Sequence, residues 1–360
     1  MNLLANPPPL DIDTLRVLLA RYPQSWLAPV LTSALRHVEP TAVRLELPVP
    51  AQRWAPVLKA EIAEFLQAQV SGWQPAIELD WAVAPQPVQG ALKRIPNISN
   101  VIAVASGKGG VGKSTVAANL ALALAAEGAT VGMLDADIYG PSQPLMLGVA
   151  DKKPAVEASK KMHPVMAHGV ALMSIGLLVD PADPMIWRGP MVTQALQQML
   201  AETRWPELDY LIVDLPPGTG DTQLSLAQRI PVSGALIVTT PQEMALLDAR
   251  KGLRMFEKVG ISVLGVVENM AGHTCSQCGH VDPVFDSGGA QMMAEQFGVE
   301  VLGSLPLAGS IRAQADAGRP TMVAEPESPL AMRYLQLARR AATALAGAGA
   351  AEFPEIVIES

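Results

Sequence analysis

The clearest chemistry in the chain sits in Gly107-Lys108-Gly109-Gly110-Val111-Gly112-Lys113-Ser114-Thr115, which contains the spacing G-x-x-x-x-G-K-[ST]. Glycines in such a loop let the backbone turn its N–H groups toward phosphate oxygens, and a helix opening at the lysine adds its positive end. Lys113 is then expected to reach the β- and γ-phosphates of a nucleotide, and Ser114 to ligand Mg2+. The chemistry is phosphoryl transfer to water, driven by positioning and charge neutralisation. Two acidic segments complete the set. Tyr210–Val213 is apolar and ends in Asp214, suited to hold Mg2+ directly or through water. It runs into Leu215-Pro216-Pro217-Gly218-Thr219-Gly220-Asp221, a stiff but hinged stretch suited to sensing a γ-phosphate. Thr130–Leu134 ends in Asp135-Ala136-Asp137. Asp137 is expected to position the attacking water, whereas Asp135 reads equally well as the cap of a turn.

Both cysteines lie in His273-Thr274-Cys275-Ser276-Gln277-Cys278-Gly279-His280. Three chemistries compete for this C-x-x-C. A thioredoxin-like pair opens a helix, but these flanks read as a loop. Zinc could use Cys275, Cys278 and the two histidines, although the one-residue spacings are shorter than the usual finger pattern. An iron–sulfur cluster wants four thiolates, which one chain lacks and a two-fold dimer supplies.

The elements that must position these residues follow from the pattern. Seven short runs alternate with helical segments: Val101–Ala105, Thr130–Leu134, Val170–Ile175, Tyr210–Val213, Ala235–Thr239, Ser262–Val267 and Val299–Leu302. Several are apolar throughout, as strands covered on both faces are. The pattern predicts an α/β fold with a mostly parallel, doubly wound sheet whose ligands sit at the carboxyl ends of its strands.

Upstream, Asp11 and Asp13 cap a helix carrying Leu15, Leu18 and Leu19 that stops near Pro23. Val43, Leu45, Leu47 and Val49 alternate with Arg44, Glu46 and Pro48, and Ile77, Leu79, Trp81 and Val83 alternate again. Trp54, Val57, Leu58, Ile62, Phe65 and Leu66 recur at helical spacing between them. The expected organisation is a small α/β domain over 1–88 without a catalytic constellation, a linker at 89–97, a nucleotide-binding domain over 98–347 and an acidic tail at 348–360.

Composition narrows the function further. Across 360 residues, 49% are hydrophobic and 17% charged, which supports large cores and argues against global disorder. A net charge of −8 argues against a nucleic-acid-coating role. No apolar run approaches the roughly 20 residues needed to span a bilayer, and the N-terminus lacks a basic, apolar leader. Two cysteines exclude a disulfide framework. The sequence therefore reads as a soluble cytoplasmic protein with neither nucleic acid nor membrane as partner. Leu330, Tyr334, Leu337, Ala341 and Leu345 form an apolar stripe, with Arg333, Arg339 and Arg340 elsewhere on the same helix. That stripe is read as packing on its own domain, and Glu352, Glu355 and Glu359 follow it.

Lys108, the second lysine of the loop, makes G-K-G-G-V-G-K-S-T similar to the deviant Walker A motif of the P-loop family that includes MinD, ParA and the nitrogenase iron protein. That likeness implies that Lys108 contacts nucleotide across a dimer interface. The motifs together resemble the Mrp (ApbC-type) family of iron–sulfur cluster carrier ATPases over about residues 93–325. They are G-K-G-G-V-G-K-S-T at 107–115, D-A-D-I-Y-G-P-S at 135–142, W-R-G-P-M at 187–191, D-L-P-P-G-T-G-D at 214–221, and E-N-M at 268–270 followed by C-S-Q-C. The resemblance implies a homodimeric ATPase that hydrolyses ATP slowly without a partner. Gly107 to Thr115, Asp214 and the adenine-binding Asn269 would form its nucleotide site. Cys275 and Cys278 would hold a bridging [4Fe–4S] cluster, received from a donor scaffold and passed to apoproteins. The N-terminal unit resembles a divergent form of the small domain many members carry, without its acidic-proline signature. Within Trp187-Arg188-Gly189-Pro190, the arginine reads as presented to the dimer face or as part of a packing turn. The competing class is a MinD/ParA-like spatial switch that binds membrane or DNA in its ATP state.

Overall fold

Short β-branched runs and Ala/Leu-rich helices build two units in the computed structural model, which describes residues 10–90, 92–179, 189–275, 278, 280–285 and 288–348. Trp187, Arg188, Ser276, Gln277 and the tail carrying Glu352, Glu355 and Glu359 lie outside the described residues.

In the first unit, α1 (Ile12–Leu19) starts where the Asp11 carboxylate accepts the Thr14 N–H at 2.6 Å, satisfying one of the free donors of a helix start. α2 (Ala28–Ala34) leads directly into β1 (Leu35–Val38), which pairs antiparallel with β2 (Ala42–Leu47). α3 (Ala55–Gln69) crosses over to β3 (Ala76–Trp81), which lies parallel to β2. The alternation read from the sequence buries Val43, Leu45 and Leu47, and the helical spacing of α3 buries Leu58, Ile62 and Leu66. α2 and β1 escape sequence reading because neither element is long enough to show its period.

The second unit is built on one sheet. Its chain order is β4 (Ile98–Ala105), α4 (Lys113–Ala126), β5 (Val131–Asp135), α5 (Gln143–Met146), β6 (Val165–Ala167), β7 (Val170–Ser174), α6 (Gly189–Glu202), β8 (Leu208–Asp214), α7 (Asp221–Arg229), β9 (Gly234–Thr239), α8 (Glu243–Lys258), β10 (Val263–Glu268), β11 (His273–Thr274), β12 (Val281–Asp282), α9 (Gly289–Phe297), β13 (Val301–Ser304), α10 (Gly309–Asp316), α11 (Thr321–Ala324) and α12 (Pro329–Ala348). Among the described residues the sheet order is β13-β10-β9-β4-β8-β5-β7-β6. Seven of these strands are parallel and correspond to the seven apolar runs, whereas the three-residue β6 pairs antiparallel with β7 at one edge. β4, β5, β7 and β9 are buried along almost their whole length, which is why they read as apolar rather than alternating.

The units divide at Pro87/Val88, and residues 342–348 at the end of α12 group with the first, where the sequence reading ends the second domain at 347. The stretch read as a linker is packed at its start. Gln89 is buried, and its side-chain amide donates to the carbonyls of Ala227 at 2.7 Å and Ile230 at 2.6 Å. Among the described residues no helix is long and apolar enough to cross a membrane.

Candidate functional site

The loop from Ser106 to Gly112 joins β4 to α4, at the carboxyl end of a strand flanked by β8 and β9. Gly110 (φ 81°) and Gly112 (φ 80°) take left-handed backbone that side chains with a Cβ rarely adopt. At Gly107 the constraint is space, because a Cβ there would strike the backbone of Asp248 and Ala249 on α8. The loop thus forms a glycine cradle, closed on one side by α8 and on another by Asn269. Asn269 donates from Nδ2 to the Val111 carbonyl at 2.8 Å and occupies the space a Cβ on Gly112 would need.

Lys113 opens α4, and its ammonium is paired with Asp214 at the end of β8, both groups being buried. Its Nζ also donates to Ser114 Oγ at 3.2 Å. The parallel register sets Asp135 of β5 opposite Asp214. Asp135 accepts Ser174 Oγ at 3.0 Å, the Gln143 N–H at 3.2 Å and the Asp137 N–H at 3.2 Å. Complete burial, with the Asp214 charge beside it, raises its carboxyl to about 7. Asp135 is therefore the hub that organises the turn after β5, as its capping role required. Asp137 is half-buried beside the same charges. Burial and the Asp214 charge hold its carboxyl above the usual range, opposed by the Lys113 cation. Lys108 is half-exposed on the loop and, among the described residues, its side chain makes no hydrogen bond or ion pair.

Gln143, at the start of α5, is the residue that sequence reasoning missed. Fully buried, it donates from Nε2 to Asp214 Oδ2 at 2.8 Å and to the Ser114 carbonyl at 2.9 Å. A glutamine after a Pro-Ser turn carries no chemical signature of its own, and its place eight residues after Asp135 was the available signal.

The cysteine segment leaves the nucleotide loop by a short path. Asn269 follows β10, Ala271 donates its N–H to the Leu305 carbonyl, and Leu307 donates to the Gly272 carbonyl. β11 and β12 then pair antiparallel, and the Cys275 N–H donates to the His280 carbonyl at 2.8 Å across their loop. Cys275 is half-buried, Cys278 is exposed, and both are free thiols. The pair sits in a hairpin loop and not at a helix start, so the thioredoxin-like geometry is missing. His273 turns its Nδ1 to the Leu307 carbonyl at 3.1 Å. Among the described residues no three His, Cys, Asp or Glu side chains gather into a metal-holding cluster.

The family described as ParA, NUBPL iron-transfer P-loop NTPase, matches residues 97–342. The chain belongs to this family. Members of it and their neighbours match well beyond the phosphate loop. An iron-sulfur cluster carrier protein of Pseudomonas fragi is 59% identical over 263 residues, covering 73% of this chain and 92% of its own. One of Salmonella typhimurium is 49% identical over 349 residues, covering 92% and 93% of the two chains. Among solved structures, a nucleotide-binding protein from Archaeoglobus fulgidus in complex with ADP, with cobalt found by PIXE, is 38% identical. It covers 67% of this chain and 94% of its own with a TM-score of 0.58. The likeness to this family covers the loop, the acidic strand ends and the cysteine hairpin alike.

In this P-loop NTPase, α12 does not offer a free amphipathic face. Tyr334, Leu337 and Ala341 are buried. Arg333 donates to the Ser304 carbonyl at 3.0 Å, Arg339 pairs with buried Glu127 at 2.6 Å, and Arg340 pairs with Glu300 at 3.0 Å. Leu345 of the same stripe is buried as well, and Leu330 is half-buried.

Proposed function

We propose that this P-loop NTPase is an iron–sulfur cluster carrier that couples ATP turnover at the Gly107–Thr115 loop to release of a cluster held by Cys275 and Cys278. One observation carries the reading. The chain that closes the phosphate cradle through Asn269 reaches Cys275 six residues later, along a path bonded to Leu305 and Leu307. The two free thiols and the nucleotide loop thus share one short, structured connection.

At the nucleotide site, Lys113 and the loop amides cradle the phosphates, and Asn269 meets the adenine base in exchange for the Val111 carbonyl. Ser114 and Asp214 suit Mg2+, since a hydroxyl and a carboxylate already converge on the Lys113 ammonium. Bound there, the ion would supply charge neutralisation to the phosphates. Asp137 orients the attacking water. Gln143 keeps Asp214 aimed while Lys113 moves toward phosphate. Lys108, half-exposed, reaches the nucleotide of a second copy. Apolar Met244 and Leu247 are exposed on α8, whose backbone abuts Gly107, and give that second copy a surface to cover. Hydrolysis is slow until docking completes the site.

Two thiolates are half of the usual four-cysteine set, so the cargo is a [4Fe–4S] cluster bridging two copies, received from a donor scaffold and handed to apoproteins. The test is anaerobic reconstitution with iron and sulfide, followed by metal analysis and visible absorption. Wild type should hold about two irons per chain as a dimer, and Cys275→Ala and Cys278→Ala should hold none. Tightly bound zinc, or iron that survives both substitutions, would refute the reading.

A further inference from the structure

At the opposite end of the sheet from the phosphate loop lies a cavity of about 550 Å³ within the second unit. Its walls are the segment entering β4 (Lys93 to Asn97), the turn entering β8 (Thr203 to Trp205) and the turn entering β9 (Arg229 and Pro231). These are the amino ends of three adjacent central strands. Lys93, Arg94, Lys161, Arg204 and Arg229 line it, and among the described residues no carboxylate does. In a chain of net charge −8, five cations around one hollow form a local field of the opposite sign. Part of the lining is fixed. Arg204 is paired with Glu157 at 3.2 Å, and Lys161 donates to the Ala201 carbonyl at 2.7 Å. The floor is apolar and rigid, because buried Trp205 donates its indole N–H to the Leu200 carbonyl at 3.1 Å. Lys93 and Arg94 are exposed and have no ion-pair partner among the described residues.

We propose that this pocket docks an acidic peptide segment of a partner protein, with carboxylates on Lys93 and Arg94 and an apolar side chain over Trp205. Charge complementarity selects the ligand. Lys93 and Arg94, without an ion-pair partner among the described residues, favour an anion, and Arg is suited to paired carboxylate contacts. The open, exposed rim favours an extended chain over an enclosed metabolite, whose site would bury most of its surface. Docking here leaves the cysteine hairpin, at the other end of the sheet, uncovered. The pocket's charge stands whether or not the thiols carry a cluster.

The test is fluorescence anisotropy with fluorescein-labelled Glu-Leu-Glu-Glu-Phe-Glu, using full-length protein saturated with ADP and Mg2+ so that the phosphate loop is filled. The expected binding is in the range of about 1–50 μM at low salt, weakening several-fold as salt rises and screening sets in. Lys93→Glu/Arg94→Glu should weaken it at least tenfold. Lys152→Glu/Lys153→Glu, an exposed pair elsewhere, should change it less than twofold. Equal loss in both charge-reversed pairs, or equal binding of the peptide with Gln in place of Glu, would overturn the assignment. Tenfold tighter binding by protein ending at Ala348 would overturn it as well, by making the chain's own Glu352, Glu355 and Glu359 segment the occupant. Iron content after reconstitution is measured on the same variants. Unchanged loading with lost peptide binding separates this pocket from the carrier reading.

Discussion

The contact between Gly112 and Asn269 gives a prediction whose size follows from the structure. Gly112→Ala places an L side chain at φ 80°, which costs about 1 kcal/mol by itself. The new Cβ also takes the place of the Asn269 amide, which must swing away from the Val111 carbonyl. Losing that hydrogen bond and leaving a buried donor or acceptor unmade adds about 1–3 kcal/mol. The single substitution should therefore destabilise the nucleotide-free protein by about 2–4 kcal/mol. Asn269→Ala removes the obstacle, so in that background only the backbone term of about 1 kcal/mol remains. Urea unfolding of wild type, both single variants and the double variant measures the difference as a cycle. The expected coupling is about 1–3 kcal/mol, favouring the double variant over the sum of the singles. Additivity within about 0.5 kcal/mol would show that the glycine and the asparagine do not compete for one space, and would refute the account of the cradle.

Two further outcomes concern the acidic strand ends. Lys113→Ala should abolish ATP turnover and cluster delivery while reconstituted iron stays at the wild-type level, and full delivery by this variant would disprove the coupling. The same substitution strands buried Asp214 and should cost about 3–5 kcal/mol, a loss that Lys113→Ala/Asp214→Asn largely restores in urea titrations. Asp135 should make stability fall as pH rises. Its folded carboxyl keeps a proton up to about 7, whereas the unfolded one loses it near 3.8. Between those values the native state binds more protons than the unfolded state, so each step up in pH favours unfolding. Urea midpoints at pH 4.5, 5.5 and 6.5 should decline in wild type and flatten in Asp135→Asn. An equally steep decline in the variant would move the effect to another group.

Much of this was legible in the residues because parallel strands covered on both faces have little choice of composition. Val101–Ala105 and Ala235–Thr239 read as continuous apolar runs, and they lie side by side as β4 and β9. The phosphate loop was legible because its glycines are conformational necessities, shown by the positive φ of Gly110 and Gly112. β6 was not legible, since three residues pairing antiparallel at an edge show no period. Gln143 was hidden for a different reason. Its function lies in bonds to Asp214 and the Ser114 carbonyl, groups far away in sequence, and a glutamine's type does not announce such partners. The flanks of the cysteines read as a loop, although C-x-x-C by itself fits a hairpin as well as a helix start. The folded backbone, with Cys275 bonded to His280, decides for the hairpin.

The strand order also constrains how the chain is made. β4 is flanked by β8 and β9, both more than a hundred residues downstream. At about 5–20 residues per second, β4 waits roughly 6–26 s on the ribosome before Gly234 of β9 is synthesised. For most of that interval β4 and the Ala/Leu-rich α4 behind it have neither central neighbour, and at its end they have β8 alone. Parallel pairing over such separations is slow even after release. The nascent chain should thus be a client of holding chaperones during that interval, and the nucleotide cradle can close only after Asn269 has been made.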